Sequence, residues 1–174
     1  ANMMGDMYAL TSIENIGKYL ARAVHSGTDI EAHEHVAFAN NLSGVVMSIS
    51  SCTSEHAMSA YHENLPHGAG LIMISSEYFT YFVNKHVCDE RYVRMAQALG
   101  MKDASKPEDF ITALLNLQKA CGVDNLKMSG YGITIDEAEK FSKNAHETMG
   151  GLFLYDRTPL DEKDCAEIYL RAYK

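Results

Sequence analysis

The sequence predicts an all-α protein, a bundle of seven to eight helices. Three observations carry that expectation. Apolar residues recur at intervals of three and four along most of the chain, the spacing of one helical face. Glycines and helix-opening residues fall between those stretches, where helices end and begin. No stretch alternates long enough to read as a strand, and none sets a strand, a Gly-rich turn and a helix in succession, so no dinucleotide-binding unit is predicted.

The elements follow in order. Residues 5–25 read as a helix with Met7, Leu10, Ile13, Ile16, Leu20 and Val24 on one face and Gly27 as its stop. Thr28 and Glu31 read as a capping box for a helix over 29–50. The middle of that helix is small (Ala37, Ala39, Ser43, Gly44), so another helix can approach it closely. A short helix is predicted over 53–62 and an apolar one over 67–84, with Leu71, Ile72, Met73, Ile74, Tyr78, Phe79, Phe82 and Val83 leaving little polar face. Residues 88–99 form the next and stop at Gly100. Pro107 and Glu108 suit the first turn of a helix that runs to Cys121 and stops at Gly122, with Phe110, Ile111, Leu114, Leu115 and Leu117 as its core face. A connector covers 123–134. Helices close the chain over 136–149 and 159–173, the last with Thr158 as N-cap and Asp161 in its first turn.

Length predicts one domain of 174 residues. A net charge of -8, spread along the chain, argues against a nucleic-acid partner. No segment approaches the roughly 18 apolar residues of a membrane span. Cys52, Cys88, Cys121 and Cys165 form no C-x-x-C pattern and read as reduced thiols of a cytoplasmic protein. The chain opens on Ala1 without an initiator methionine and is expected to begin inside something longer.

The chemistry concentrates between Ser54 and Leu71. His67 follows Asn64, read as a helix cap, and Pro66, read as part of the first turn. An imidazole at the positive end of a helix dipole is held neutral, the form that binds metal. Gly68 and Gly70 clear space beside it. His56 faces His67 if the turn over 63–66 reverses the chain, and His62 lies between them. Histidine spacing alone leaves surface or core roles open for all of these. His25, His33, His35, His86 and His146 read as surface or interhelical groups, and Tyr61, Tyr78 and Tyr81 as core.

These residues resemble a known family. Leu65-Pro66-His67-Gly68-Ala69-Gly70-Leu71 is similar to the second signature of the iron-containing (group III) alcohol dehydrogenases. Residues 5–10, Asn41-Leu42-Ser43-Gly44, Ser54-Glu55-His56 and Arg157-Thr158-Pro159-Leu160 resemble matching stretches of that family, over essentially the whole chain.

The resemblance implies the all-helical, dehydroquinate-synthase-like C-terminal domain of a two-domain enzyme. Its partner would be an N-terminal NAD(P)-binding α/β domain lying outside this sequence. It implies iron(II) or zinc held by one Asp and three His, of which His56 and His67 carry over here as metal ligands. The family has His-x-x-x-His before the Pro-His-Gly motif, and this chain has one histidine there. Counting forward from Leu42-Ser43-Gly44 puts the ligand at His56; counting back from His67 puts it near Cys52. The counts agree if about one helical turn, roughly four residues, is missing. An imidazole suits either metal, and loss of one turn keeps the helix faces in phase, so His56 is preferred, with Cys52 and His62 as alternatives.

The expected function is hydride transfer between a small alcohol or aldehyde and nicotinamide, in a cytoplasmic enzyme that can form homo-oligomers. The 174 residues alone are expected to be inactive. The rival readings are a non-catalytic helical binding or assembly domain with structural histidines, and a dehydroquinate-synthase-like activity.

Overall fold

The computed structural model describes residues 2–60 and 64–174. Eight α-helices and three 3-10 turns make up the described residues, which contain no strand. The helices are α1 (Met3–His25), α2 (Ile30–Ser50), α3 (Ser54–Met58), α4 (His67–Val83), α5 (Asp89–Ala98), α6 (Glu108–Ala120), α7 (Ala138–Met149) and α8 (Glu162–Ala172). The all-α class and the helix number agree with the sequence reading. No helix of the described residues is long and apolar enough to cross a membrane.

The chain divides into two compact units. The first comprises Ala1–Ser51 and Cys88–Asp124, and so holds α1, α2, α5 and α6. The second comprises Cys52–Val87 and Asn125–Lys174, and holds α3, α4, α7 and α8.

In the first unit α1 and α2 form an antiparallel-type hairpin around small residues. The Ser12 hydroxyl donates to Ala39 O at 2.8 Å, and Ala32 and Ala39 are fully buried. The predicted close approach at the middle of α2 is therefore present. The predicted apolar face of α1 is only partly buried: Leu10, Ile13, Ile16 and Leu20 are half-buried. Met7 and Val24 are more than half exposed, and Gly5, Ser12, Tyr19 and Ala23 are the buried positions. The physical reason is distance: helices that meet backbone to backbone seat small side chains at the seam and turn bulky ones aside. Gly17 shows the same principle, since a Cβ there would lie 2.8 Å from the backbone of Leu99 at the end of α5. On α6, Phe110 and Ala113 are buried, whereas Leu115 is 42% exposed.

Several caps differ from the sequence reading. The α1 helix ends at Ser26, whose backbone is extended, rather than at Gly27. Asp29, not Thr28, caps α2 by accepting from Ala32 N–H at 3.1 Å. A carboxylate is the stronger acceptor, and Glu31 is drawn instead to Arg22 at 2.7 Å. Pro66 holds the N-cap position of α4, so Asn64 lies outside the helix. Asp161, whose own backbone is extended, caps α8 by accepting from Asp164 N–H at 2.8 Å; Thr158 lies three residues too early to cap it. A capping box does occur, unpredicted, at Thr134 and Glu137. Gly100 and Gly122 stop their helices in the left-handed region, at φ 109° and 72°, as read.

Candidate metal centre

The second unit brings two histidines together nitrogen to nitrogen. His56 lies on α3, a helix of five residues, too short to stand without tertiary support. His67 is the first residue of α4. A Cβ at Gly70 would come within 3.0 Å of Ser59 O and 3.1 Å of Leu65 Cδ2, so this glycine lets the first turn of α4 press against the end of α3. Gly68 has open space beside it and serves no such approach.

The result is His56 Nδ1 at 3.1 Å from His67 Nε2, with ring centroids 5.1 Å apart. Ser59 decides the protonation pattern. Its hydroxyl donates to His56 O at 3.1 Å, and its oxygen lies 3.0 Å from His67 Nδ1. With its one proton on the carbonyl, Ser59 Oγ accepts from His67 Nδ1–H. His67 Nε2 is thereby left with a lone pair aimed at His56. Without a ligand, His56 Nδ1–H donates to that lone pair; moving the His56 proton to Nε2 turns both lone pairs onto one point. Burial, and then the neighbouring His67, hold His56 below the ordinary imidazole pKa, which keeps it neutral.

This donor set fits a divalent cation. Nitrogens each about 2.0–2.1 Å from one ion lie roughly 2.8–3.4 Å apart at bond angles between about 90° and the tetrahedral value. The pair falls in that range. Among the described residues no group of three His, Cys, Asp or Glu side chains gathers to hold a metal. Cys52 is a half-buried free thiol and does not complete such a group. His62, and the reading of Tyr61 as core, fall outside the described residues.

His25, His33, His35 and His146 are interhelical or loop-tethering groups. His25 reaches Ala120 O at 2.7 Å, and His33 reaches Ser26 O at 3.1 Å. His35 stacks flat on Tyr19 at 3.8 Å. His146 reaches the carbonyls of Ser142 and Leu160. Two parts of the site escaped sequence reasoning. Ser59 had a findable signal, three residues after His56 on a helical turn. Glu55 had none: burial pushes its carboxyl up to about 8, and nothing in its neighbours along the chain announces that.

Comparison with known proteins shows the family. The model of the Fe-containing alcohol dehydrogenase family, C-terminal, matches residues 1–173. An NAD-dependent methanol dehydrogenase of Bacillus methanolicus is 29% identical over 165 residues, covering 86% of this chain and 40% of that protein. The crystal structure of the archaeal halo-thermophilic Red Sea brine pool alcohol dehydrogenase ADH/D1 superposes with a TM-score of 0.88 at 29% identity, covering 97% of this chain and 44% of that one. A 1,3-propanediol oxidoreductase shares the fold at a TM-score of 0.90 and 22% identity, with 99% and 46% covered. The chain thus spans less than half the length of each of these proteins. From its first helix to its last it belongs to the iron-containing alcohol dehydrogenase family, as that family's C-terminal region.

Proposed function

We propose that these residues are the metal- and substrate-binding part of an NAD(P)-linked alcohol dehydrogenase, with His56 and His67 as two of the metal's ligands. The observation that carries the reading is the 3.1 Å approach of His56 Nδ1 to His67 Nε2. A shift of the His56 proton to Nε2 would turn both lone pairs onto one point, which is what a metal ion requires and a structural hydrogen bond does not. The ion is iron(II) or zinc, both suited to imidazole. Its other ligands come from outside the described residues, as does the nucleotide site, which belongs to an N-terminal α/β domain of the same enzyme. The substrate is a small alcohol or aldehyde, the compartment is the cytoplasm, and the enzyme can form homo-oligomers.

This chain's own contribution follows from its hydrogen bonds. Ser59 holds His67 in the Nδ1–H tautomer, so that Nε2 is free to bind. His56 binds through Nδ1 after its proton shifts to Nε2. The close seat of Gly70 keeps the two rings from separating. His56 and His67 would hold a divalent ion, which would supply Lewis acidity toward an alcohol oxygen.

The test is turnover of short aldehydes with NADH or NADPH by the full-length protein, after chelation and after return of anaerobic Fe2+ or Zn2+. Metal-restored turnover that disappears in His67→Ala is the expected result. Undiminished turnover in the chelated protein, or in His67→Ala, would overturn the proposal. The 174-residue chain by itself is expected to give a blank in the same assay.

A further inference from the structure

A single carboxylate ties together the two helices that carry the histidines. Asp156 Oδ1 accepts from Ser54 N–H at 3.2 Å, at the opening of α3. The same oxygen lies 3.2 Å from the Tyr78 hydroxyl, on α4. That hydroxyl also meets Ser54 Oγ at 3.1 Å and Thr53 Oγ1 at 3.2 Å. Thr53 occupies the N-cap position of α3 but makes no capping bond, so Asp156 supplies the acceptor from 102 residues away. Ser54 is fully buried and Tyr78 is 2% exposed, so water does not compete for these bonds. The other end of α3 is pinned separately: the Tyr169 hydroxyl donates to Met58 O at 2.6 Å.

We propose that Asp156 and Tyr78 are positioning residues for the histidine pair. They fix the first turn of α3 to the middle of α4, and His56 sits two residues beyond the clip. A five-residue helix has no internal means of holding its rotation. Losing the clip frees α3 to turn about its Met58 anchor and carries His56 Nδ1 away from His67 Nε2. The inference rests on the metal reading for its purpose, while its geometry rests on the hydrogen bonds of Asp156 and Tyr78 alone.

The test uses full-length protein in two states. In metal-free protein labelled with 15N-histidine, the His56 Nδ1–H to His67 Nε2 hydrogen bond gives a distinct pair of imidazole nitrogen shifts. In cobalt-titrated protein, the visible absorption band reports binding. Tyr78→Phe removes only a hydroxyl, and Asp156→Ala removes the shared acceptor. Both are expected to collapse the paired shifts and to weaken Co2+ binding by about tenfold or more, the scale of losing a group that orients a ligand. Asp156→Asn keeps an acceptor oxygen and is expected to restore both signals. Tyr81, also on α4, bonds to Pro159 O and to Asp164 of α8 without touching α3, and Tyr81→Phe is expected to change neither. The clip is overturned if Tyr78→Phe leaves the paired shifts as in wild type, or if Asp156→Asn falls as far as Asp156→Ala. A wild type that binds no Co2+ but shows the paired shifts, lost in Tyr78→Phe, upholds the clip and refutes the metal reading instead.

Discussion

The α1–α2 hairpin and the α3–α4 pair solve the same problem in different ways. The hairpin has two long helices of 23 and 21 residues, and small residues bring their backbones together. Its register is spread over Gly5, Ser12, Ala23, Ala32 and Ala39, so no one bond defines it. The α3–α4 pair has a helix of five residues against one of 17, and single polar contacts define it: Asp156 to Ser54, Tyr78 to Asp156, Ser59 to His67. Packing spread along a surface tolerates change at most points and fails at its tightest one. Geometry set by single buried groups is sensitive at each of them, and to pH.

The largest expected effect sharpens that contrast through Glu55. Its carboxyl is pushed up to about 8 by burial, against 4.5 ordinarily. The folded protein therefore holds a proton that the unfolded chain releases above pH 4.5. Stability is full below that value and is lost as pH rises toward 8. Glu55→Gln removes the slope and is expected to stabilise the protein by about 3 kcal/mol at pH 7, with little effect at pH 4. Denaturant melts of both proteins at the two pH values check it; parallel curves would contradict it.

In the hairpin unit the tightest point is Gly17. A Cβ there meets the backbone of Leu99 at 2.8 Å, and backbone cannot move aside cheaply. Gly17→Ala is expected to cost about 2 kcal/mol, without the pH dependence of Glu55. An unchanged urea midpoint would show that α1 and the end of α5 pack more loosely than drawn here.

Ser59→Ala comes next. Removing the group that selects the His67 tautomer is expected to weaken metal binding about tenfold while leaving the melting temperature nearly unchanged. Equal loss of both would make Ser59 a packing residue. The smallest effect belongs to Arg22→Ala. Arg22 is 45% exposed beside Asp29 and Glu31, so water and salt screen its ion pairs and their loss should lower the melting temperature only slightly. That decrease should shrink further in 0.5 M salt, as thermal melts would show.

The same contrast explains what was legible in the sequence. Helices of ten residues or more could be read from apolar spacing, and the stops at Gly100 and Gly122 from glycine's tolerance of positive φ. The inward face of α1 could not, because hydrophobicity points to Leu10 and Ile13 whereas close approach selects Ser12 and Gly5. Caps were misplaced by one to three residues wherever a carboxylate competed with a hydroxyl, as at Asp29 and Asp161. His67 stood out through Pro-His-Gly, and His56 through its resemblance to a family pattern. Asp156 carried no local mark, since its role exists only once residues 102 positions apart meet.

The most direct measurement is a zinc-edge anomalous difference map from crystals of the full-length protein grown with Zn2+. The account predicts one strong peak about 2.0–2.1 Å from both His56 Nδ1 and His67 Nε2. A peak bound to Cys52 Sγ with His56 turned away, or none near His67, would contradict it.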